Sequence, residues 1–233
     1  MTPDTTSYRS VLAIETATPV CSVALRKQDG RIIEKRTEGT GVHSEKTFIF
    51  ISELMESAGL AAGELDAVIF SNGPGSYTGL RIGAAAVKGL LFGTKIPLFL
   101  FPSLLSYAAG LESEKRPGSQ TIHAVIDARR NHLYVQQVSS DLKEVGKPGV
   151  TELGEIKKGL KESDVVIGTG WERLNIQPEE NIRTVGTEGI SATSLLTAFG
   201  NERLKSYFEK ADPRSFEPDY LTLSQVNNSQ IRG

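Results

Sequence analysis

The stretch Asn72 to Gly83, NGPGSYTGLRIG, constrains this chain more than any other: it follows the apolar run DAVIF (Asp66 to Phe70) and leads into the segment Leu80 to Gly93. An apolar run of that length reads as a buried strand, clustered glycines read as a tight backbone turn, and the apolar segment beyond reads as a helix. A strand, a glycine-rich turn and a helix start bring backbone N–H groups and a positive dipole end to one point, which is how phosphate cradles are built. Ser76 and Thr78 could add hydroxyl donors. The known phosphate patterns nevertheless fail. A P-loop needs GxxxxGK[ST], and here Gly73 is followed five residues later by Thr78, with no lysine before Lys88. The dinucleotide fingerprint needs a third glycine where Thr78 stands. A purely structural turn therefore outweighs a phosphate site, glycine being the default residue wherever φ must be positive.

Around this joint the sequence reads as an ordered α/β chain. VLAIE (Val11 to Glu15), VCSVALRK (Val20 to Lys27) and RIIEKRT (Arg31 to Thr37) are three strands, the last two joined by a hairpin signal at Gln28-Asp29-Gly30. Phe48, Ile51, Leu54, Met55 and Ala58 recur at helical spacing, and Gly59 marks the helix end. Ile96 to Phe101 is a further strand. The order β-β-β-α-β-α-β is that of the ribonuclease-H-like core of actin, sugar kinases and heat-shock ATPases, an analogy of fold alone. Downstream, Thr121 to Ala128 and His132 to Val138 read as paired strands and Asp164 to Gly168 as another. A last helix begins at Ser191 with Leu195, Leu196, Phe199 and Leu204 on one side and Gly200 as an interruption. The charged, proline-bearing stretch Glu112 to Gly118 is the expected joint between an N-terminal lobe (1–105) and a less regular second lobe (106–233). The terminal SQVNNSQIRG is expected to fray.

At 233 residues the chain is long enough for one large domain or two lobes. A single cysteine, Cys21, leaves no disulfide framework, and no apolar run approaches the roughly 18 residues of a membrane helix, so a cytoplasmic protein is expected. Charge is balanced, ten basic and ten acidic side chains in residues 1–102 and sixteen and eighteen thereafter. Tight independent binding of tRNA or DNA, which rests on phosphate neutralisation, is not expected.

Candidate catalysts are few. The three histidines, His43, His123 and His132, form no i, i+4 pair, and one cysteine cannot complete a zinc cluster, so no metal site is expected. His43, in GVHSEKTF, reads as a helix-entry residue beside a capping Ser44, with Thr47 in the first turn. Asp127-Ala128-Arg129-Arg130 closes a strand and could hold an ion pair or an anion. Gly79 and Gly83, and again Ala85, Gly89 and Gly93, stand four apart on the second helix. Such strips admit a close neighbour, either within the chain or across a subunit interface, and the two readings stand level.

Taken together, LAIETATPVCSVAL, GVHSEKT, SNGPGSYTGLRIGAAAVKGL and IDARRNHLYV resemble the TsaB (YeaZ) family, densely over residues 10–135 and only loosely beyond, as in PDYL (Pro218 to Leu221). The resemblance implies an actin-like (ASKHA) fold of two related lobes and a role in forming N6-threonylcarbamoyladenosine beside the anticodon of tRNAs. The implied part is that of a non-catalytic partner to a TsaD-type catalytic subunit, joined by a TsaE-type ATPase, with tRNA reached through the complex and a homodimer formed when alone. TsaD-like chains hold a metal with HxxxH on the first helix, whereas here His43 is followed four residues later by Thr47. In actin-like ATPases a magnesium-associated Asp ends the first strand, and here Glu15 stands in its place. Weak ATP or ADP binding would fall to Glu15, Thr16, Gly73, Gly75, Ser76 and Thr78. The expected interface is Phe48, Ile51, Met55, Leu80, Gly83, Val87, Gly89 and Leu90. The alternative function is an actin-like ATPase or small-molecule kinase. A metallopeptidase is disfavoured by the histidine count.

Overall fold

The computed structural model describes residues 7–111, 121–143 and 145–221. The three expected opening strands are β1 (Val11–Glu15), β2 (Val20–Arg26) and β3 (Ile32–Glu38), a continuous antiparallel meander. Helix α1 (Val42–Ala58) leads to β4 (Ala67–Ser71), helix α2 (Tyr77–Leu91) leads to β5 (Leu98–Phe101), and α3 (Ser103–Gly110) closes this half. β4 runs parallel to β1, and β5 parallel to β4. The second half repeats the plan. β6 (Thr121–Asp127), β7 (His132–Ser139) and β8 (Gly149–Glu152) form an antiparallel meander, α4 (Leu153–Gly159) follows, and β9 (Val165–Gly168) and β10 (Arg183–Val185) add in parallel beside β6. The strand orders β3-β2-β1-β4-β5 and β8-β7-β6-β9-β10 match position for position. The molecule is thus two related lobes of the actin-like, ribonuclease-H-like kind.

The layers explain the apolar pattern. Helices α3 and α5 (Thr193–Phe199) pack on each other between the two sheets, α3 on β6 and β7, α5 on β1 and β2. β1 is buried on both faces: Val11 and Ala13 point to this inner layer, while Leu12 and Ile14 point outward to α1 and α2. That double burial is why VLAIE shows no alternation. Edge strand β3 alternates between exposed and half-buried residues. The last strand, β11 (Glu209–Ala211), returns to the first sheet and pairs antiparallel with β5.

Three expectations change. The final helix stops at Phe199 with Gly200 as its C-cap, and Leu204 sits in a separate 3-10 turn, Glu202–Tyr207, while remaining in the inner core. Ser44 is not the cap of α1: Gly41 takes that position in a left-handed conformation (φ 77°), and the Ser44 hydroxyl donates to the Gly41 carbonyl at 2.9 Å. Helices α1 and α2 begin earlier than their apolar periodicity, because first turns are set by caps and turn geometry, whereas the final helix begins at Thr193, two residues after the expected Ser191. The joint at Glu112 to Gly118 and the terminal SQVNNSQIRG lie outside the described residues. No helix among the described residues is long and apolar enough to cross a membrane.

Candidate functional site

The glycine loop is a joint fastened from several sides. Asn72 N–H donates to Phe101 O at 2.9 Å, Gly73 N–H to Ser103 Oγ at 2.9 Å, and Ser76 N–H to Ala17 O at 2.7 Å. Ser76 caps α2, its hydroxyl accepting from Gly79 N–H at 3.2 Å. A Cβ on Gly75 would overlap the Ala17 carbonyl, one on Gly79 the Thr16 carbonyl, and one on Gly83 the Thr16 hydroxyl and the Phe70 ring. Gly73, at φ 113°, would overlap the carbonyl of Asp219. The glycines are there for close approach, and the strip along α2 is packing within the chain at Gly79 and Gly83.

The segment that crowds Gly73 is a strap that returns from β11. Asp219 N–H donates to Asn72 O at 2.7 Å, the Phe216 ring stands 5.9 Å from Phe70, and Tyr220 lies 4.9 Å from Tyr77, centroid to centroid. Lys88 pairs with Glu217 at 3.1 Å and lies over the Phe216 ring. PDYL, which the sequence offers only as a loose point of family resemblance, is the part of this strap that touches the loop. Only its aromatic residues, at no regular period, could have signalled it.

Between the lobes opens a cleft of about 690 Å³. Its N-terminal wall includes Thr18, Gly75, Ser76, Tyr77 and Thr78, and its C-terminal wall is built by the ends of β6 and β9. Of the six expected nucleotide contacts, Gly75, Ser76 and Thr78 reach the cleft. Glu15, Thr16 and Gly73 do not line it. Glu15 is 0% exposed and turned inward, its Oε1 accepting from Ala17 N–H at 2.6 Å with the Tyr107 hydroxyl 3.4 Å away. Burial pushes its carboxyl up to about 7, against the opposing hydrogen bonds from Ser71, Ala17 and Tyr107. The N-terminal wall of the cleft therefore presents neither carboxylate nor lysine, and these residues do not fit the magnesium–nucleotide site of an actin-like ATPase.

His43 is a packing residue. Its Nε2 is 2.8 Å from the Thr18 carbonyl, its ring lies against Gly79, and burial lowers its pKa. Thr47, where a second histidine would stand, donates its hydroxyl to His43 O at 2.7 Å and touches Cys21 Sγ at 3.4 Å. His123 is likewise internal, paired with Asp164 at 3.0 Å.

At the β6–β7 turn, Asp127 Oδ1 accepts from Arg129 N–H at 2.7 Å and pairs with Arg173 at 2.6 Å. Arg129 and Arg130 both adopt left-handed conformations, φ 67° and 48°, at a cost of roughly 1–2 kcal/mol per residue.

The outer face of the α1–α2 pair is the other candidate surface. Ile51, Met55, Leu80 and Val87 turn inward and bury themselves on the chain's own sheet, and Gly83 faces Phe70. A large residue at Gly83 would thus disturb the fold before any association. Phe48, Gly89 and half-buried Leu90 stay at the surface. Phe48 is 53% exposed and lies over Gly89, whose Cβ would make ordinary contact with it at 4.0 Å. Ile49 on α1 and, at the end of α2, Phe92, 87% exposed, enlarge the apolar surface of this helix pair.

The duplicated sheets, the joint and the cleft define a two-lobed actin-like protein whose N-terminal cleft wall carries no charged side chain among its lining residues. The family model described as "TsaD: tRNA N6-adenosine threonylcarbamoyltransferase" matches residues 38–164. The "tRNA threonylcarbamoyladenosine biosynthesis protein TsaB" of Haemophilus influenzae is 30% identical over 226 residues, 91% of this chain and 93% of that protein. Its Bacillus subtilis counterpart is 30% identical, covering 95% and 98%. The solved structure of YeaZ from Pseudomonas aeruginosa superposes with a TM-score of 0.76 at 26% identity, covering 91% of this chain and 99% of that one. The chain belongs to the TsaB (YeaZ) family.

Proposed function

We propose that this chain is the non-catalytic partner of a TsaD-type subunit in the transfer of a threonylcarbamoyl group to N6 of the adenosine beside the anticodon of tRNAs. It acts in the cytoplasm, with a TsaE-type ATPase joining the pair and tRNA reached through the complex. The observation that carries the reading is the α1–α2 face. Phe48 is half exposed over Gly89, so the two helices offer an apolar surface with no covering element among the described residues. The buried Glu15 agrees with a chain that supports chemistry done elsewhere. Alone, the same face pairs two copies of the chain.

Size-exclusion light scattering tests this with the chain alone and mixed with its own organism's TsaD-type protein. A homodimer that gives way to a mixed complex is expected. Gly89→Leu, at an exposed position that should leave folding intact, is expected to weaken both associations by more than about tenfold, a loss of roughly 1.4 kcal/mol. A wild-type chain that stays monomeric in the mixture overturns the reading.

A further inference from the structure

We infer that the cleft mouth is a direct contact for the phosphate backbone and an unstacked base of RNA, made by Arg129, Arg130 and Tyr77. The inference rests on the proposed role in tRNA modification and adds a contact to it. Its starting point is the β6–β7 turn. Two successive arginines hold left-handed conformations there, where asparagine or glycine would sit with less strain. Both side chains are exposed, and among the described residues neither guanidinium makes a hydrogen bond or ion pair. A turn that accepts such residues and leaves their charges unpaired is displaying them.

The cleft that Arg129 lines is suited to a nucleic acid. Across the cleft, Tyr77 is 59% exposed and carries the Arg81 guanidinium 5.2 Å from its ring centroid. Tyr134 lines the same cleft on the side of the arginines. Tyrosine rings beside guanidinium groups recognise single-stranded RNA, bases stacking on the rings while the cations track phosphates. Of the charged side chains that line the cleft, Arg173 is neutralised by Asp127, which leaves Arg129 against Glu172, with Arg130 next to Arg129 in the turn and Arg81 against the Tyr77 ring. Three cations cannot hold RNA tightly alone, in keeping with the chain's net charge of -2. They can strengthen and orient an RNA held mainly by a partner.

The test uses the complex with the TsaD-type subunit and an unmodified tRNA transcript, its binding followed by fluorescence anisotropy over a salt series. The double variant Arg129→Asn/Arg130→Gly removes both charges and supplies residues that suit the turn, so it should fold at least as well as the parent. Its complex is expected to form normally, to bind tRNA at least about tenfold more weakly, and to show a salt slope reduced by about two. Arg129→Lys/Arg130→Lys should restore the slope, and Lys158→Ala on α4 should leave it alone. An unchanged slope in the Asn/Gly variant overturns the inference, and so does an equal loss in Lys158→Ala. A variant that fails to assemble with the subunit would mean that the arginines face protein, and displacement of tRNA by millimolar ATP would mean a free-nucleotide site. Either result also overturns it. Light scattering separates this from the partner role. If the wild-type chain does not assemble at all, the partner role falls, and the same titration on the chain alone at low salt still decides the arginines.

Discussion

Glu15 and Asp127 occupy the same place in the two lobes, each closing the first strand of its sheet, and each accepts a hydrogen bond from the backbone N–H two residues on. There the likeness ends. Glu15 is sealed beneath the inner layer with its carboxyl pushed up to about 7, whereas Asp127 stands exposed at the cleft and pairs with Arg173. The outer layers diverge in the same sense. The N-terminal sheet is covered by α1 and α2, of 17 and 15 residues, while the helices that serve the C-terminal sheet outside the shared inner layer are, among the described residues, the seven-residue α4 and short 3-10 turns such as Trp171–Leu174, Pro178–Glu180 and Thr187–Gly189. One plan, used twice, has been specialised: the first lobe invests in a thick helical face and a neutral cleft wall, the second keeps its charges at the cleft.

The sharpest way to break this comparison is to empty each outer layer in turn. Leu80 is fully buried between α2 and the first sheet, and Leu80→Ala is expected to lower stability by about 3–5 kcal/mol in a denaturant titration. Ile156, in the small cluster under α4, borders a thinner layer that can collapse on the gap. Ile156→Ala is expected to cost about 2 kcal/mol. Equal losses would say that the two outer layers carry equal weight and that the specialisation is one of surface alone.

The buried carboxyl gives the next effect. Because the folded-state pKa of Glu15 lies above its value of 4.5 in the open chain, the native state holds this proton more firmly. Stability is then undiminished below about pH 4.5 and declines as pH rises toward 7, by an amount on the order of 3 kcal/mol once the group is ionised. Glu15→Gln, which keeps the acceptor for Ala17 N–H, should gain stability relative to the parent as pH rises from 5 to 8. The buried His43 and His123, whose pKa values are lowered by burial, push the other way in both proteins and cancel in the difference. A parent-minus-variant difference that stays flat over that range would show that Glu15 finds a charge partner on opening or hydration.

Legibility in the sequence followed the same division. The first meander, the paired strands β6 and β7, α1, α2 and the joint at Gly73 to Gly83 all carry a local signature: alternation, double-faced burial, helical spacing or clustered glycine. The third strand of the second meander, β8, is four residues long and was not legible. Helix α3 carries none, because Ser103 to Ala109 are buried on every side and show no apolar stripe. The second lobe's short helices are too brief for a period, and β10 and β11, of three residues each, are held by their neighbours rather than by propensity. At the site, spacing could place Gly75, Ser76 and Thr78 at the joint between the loop and the start of α2. It could not say that Gly83 faces Phe70, or that Asp219 would return from far along the chain to crowd Gly73. Those are facts of tertiary approach. Arg129 and Arg130 could be read as an anion-holding turn, but their conformation and their freedom from partners could not.

The smallest expected effect sharpens the comparison at its other end. Asp127→Asn keeps an oxygen for Arg129 N–H and removes the charge that neutralises Arg173, a pair whose side chains are 30–45% exposed. Exposed pairs contribute about 0–1 kcal/mol, so the melting temperature should shift by only a few degrees at most. The change in charge at the cleft is larger than the change in stability, since a fourth guanidinium is released beside Arg129. If the second lobe keeps its charges at the cleft for RNA, this variant should bind tRNA in the complex somewhat more tightly, with a salt slope steeper by about one. If instead Asp127 is needed to aim the turn, affinity will fall while the slope holds, and the difference between the lobes becomes one of architecture, not of recognition.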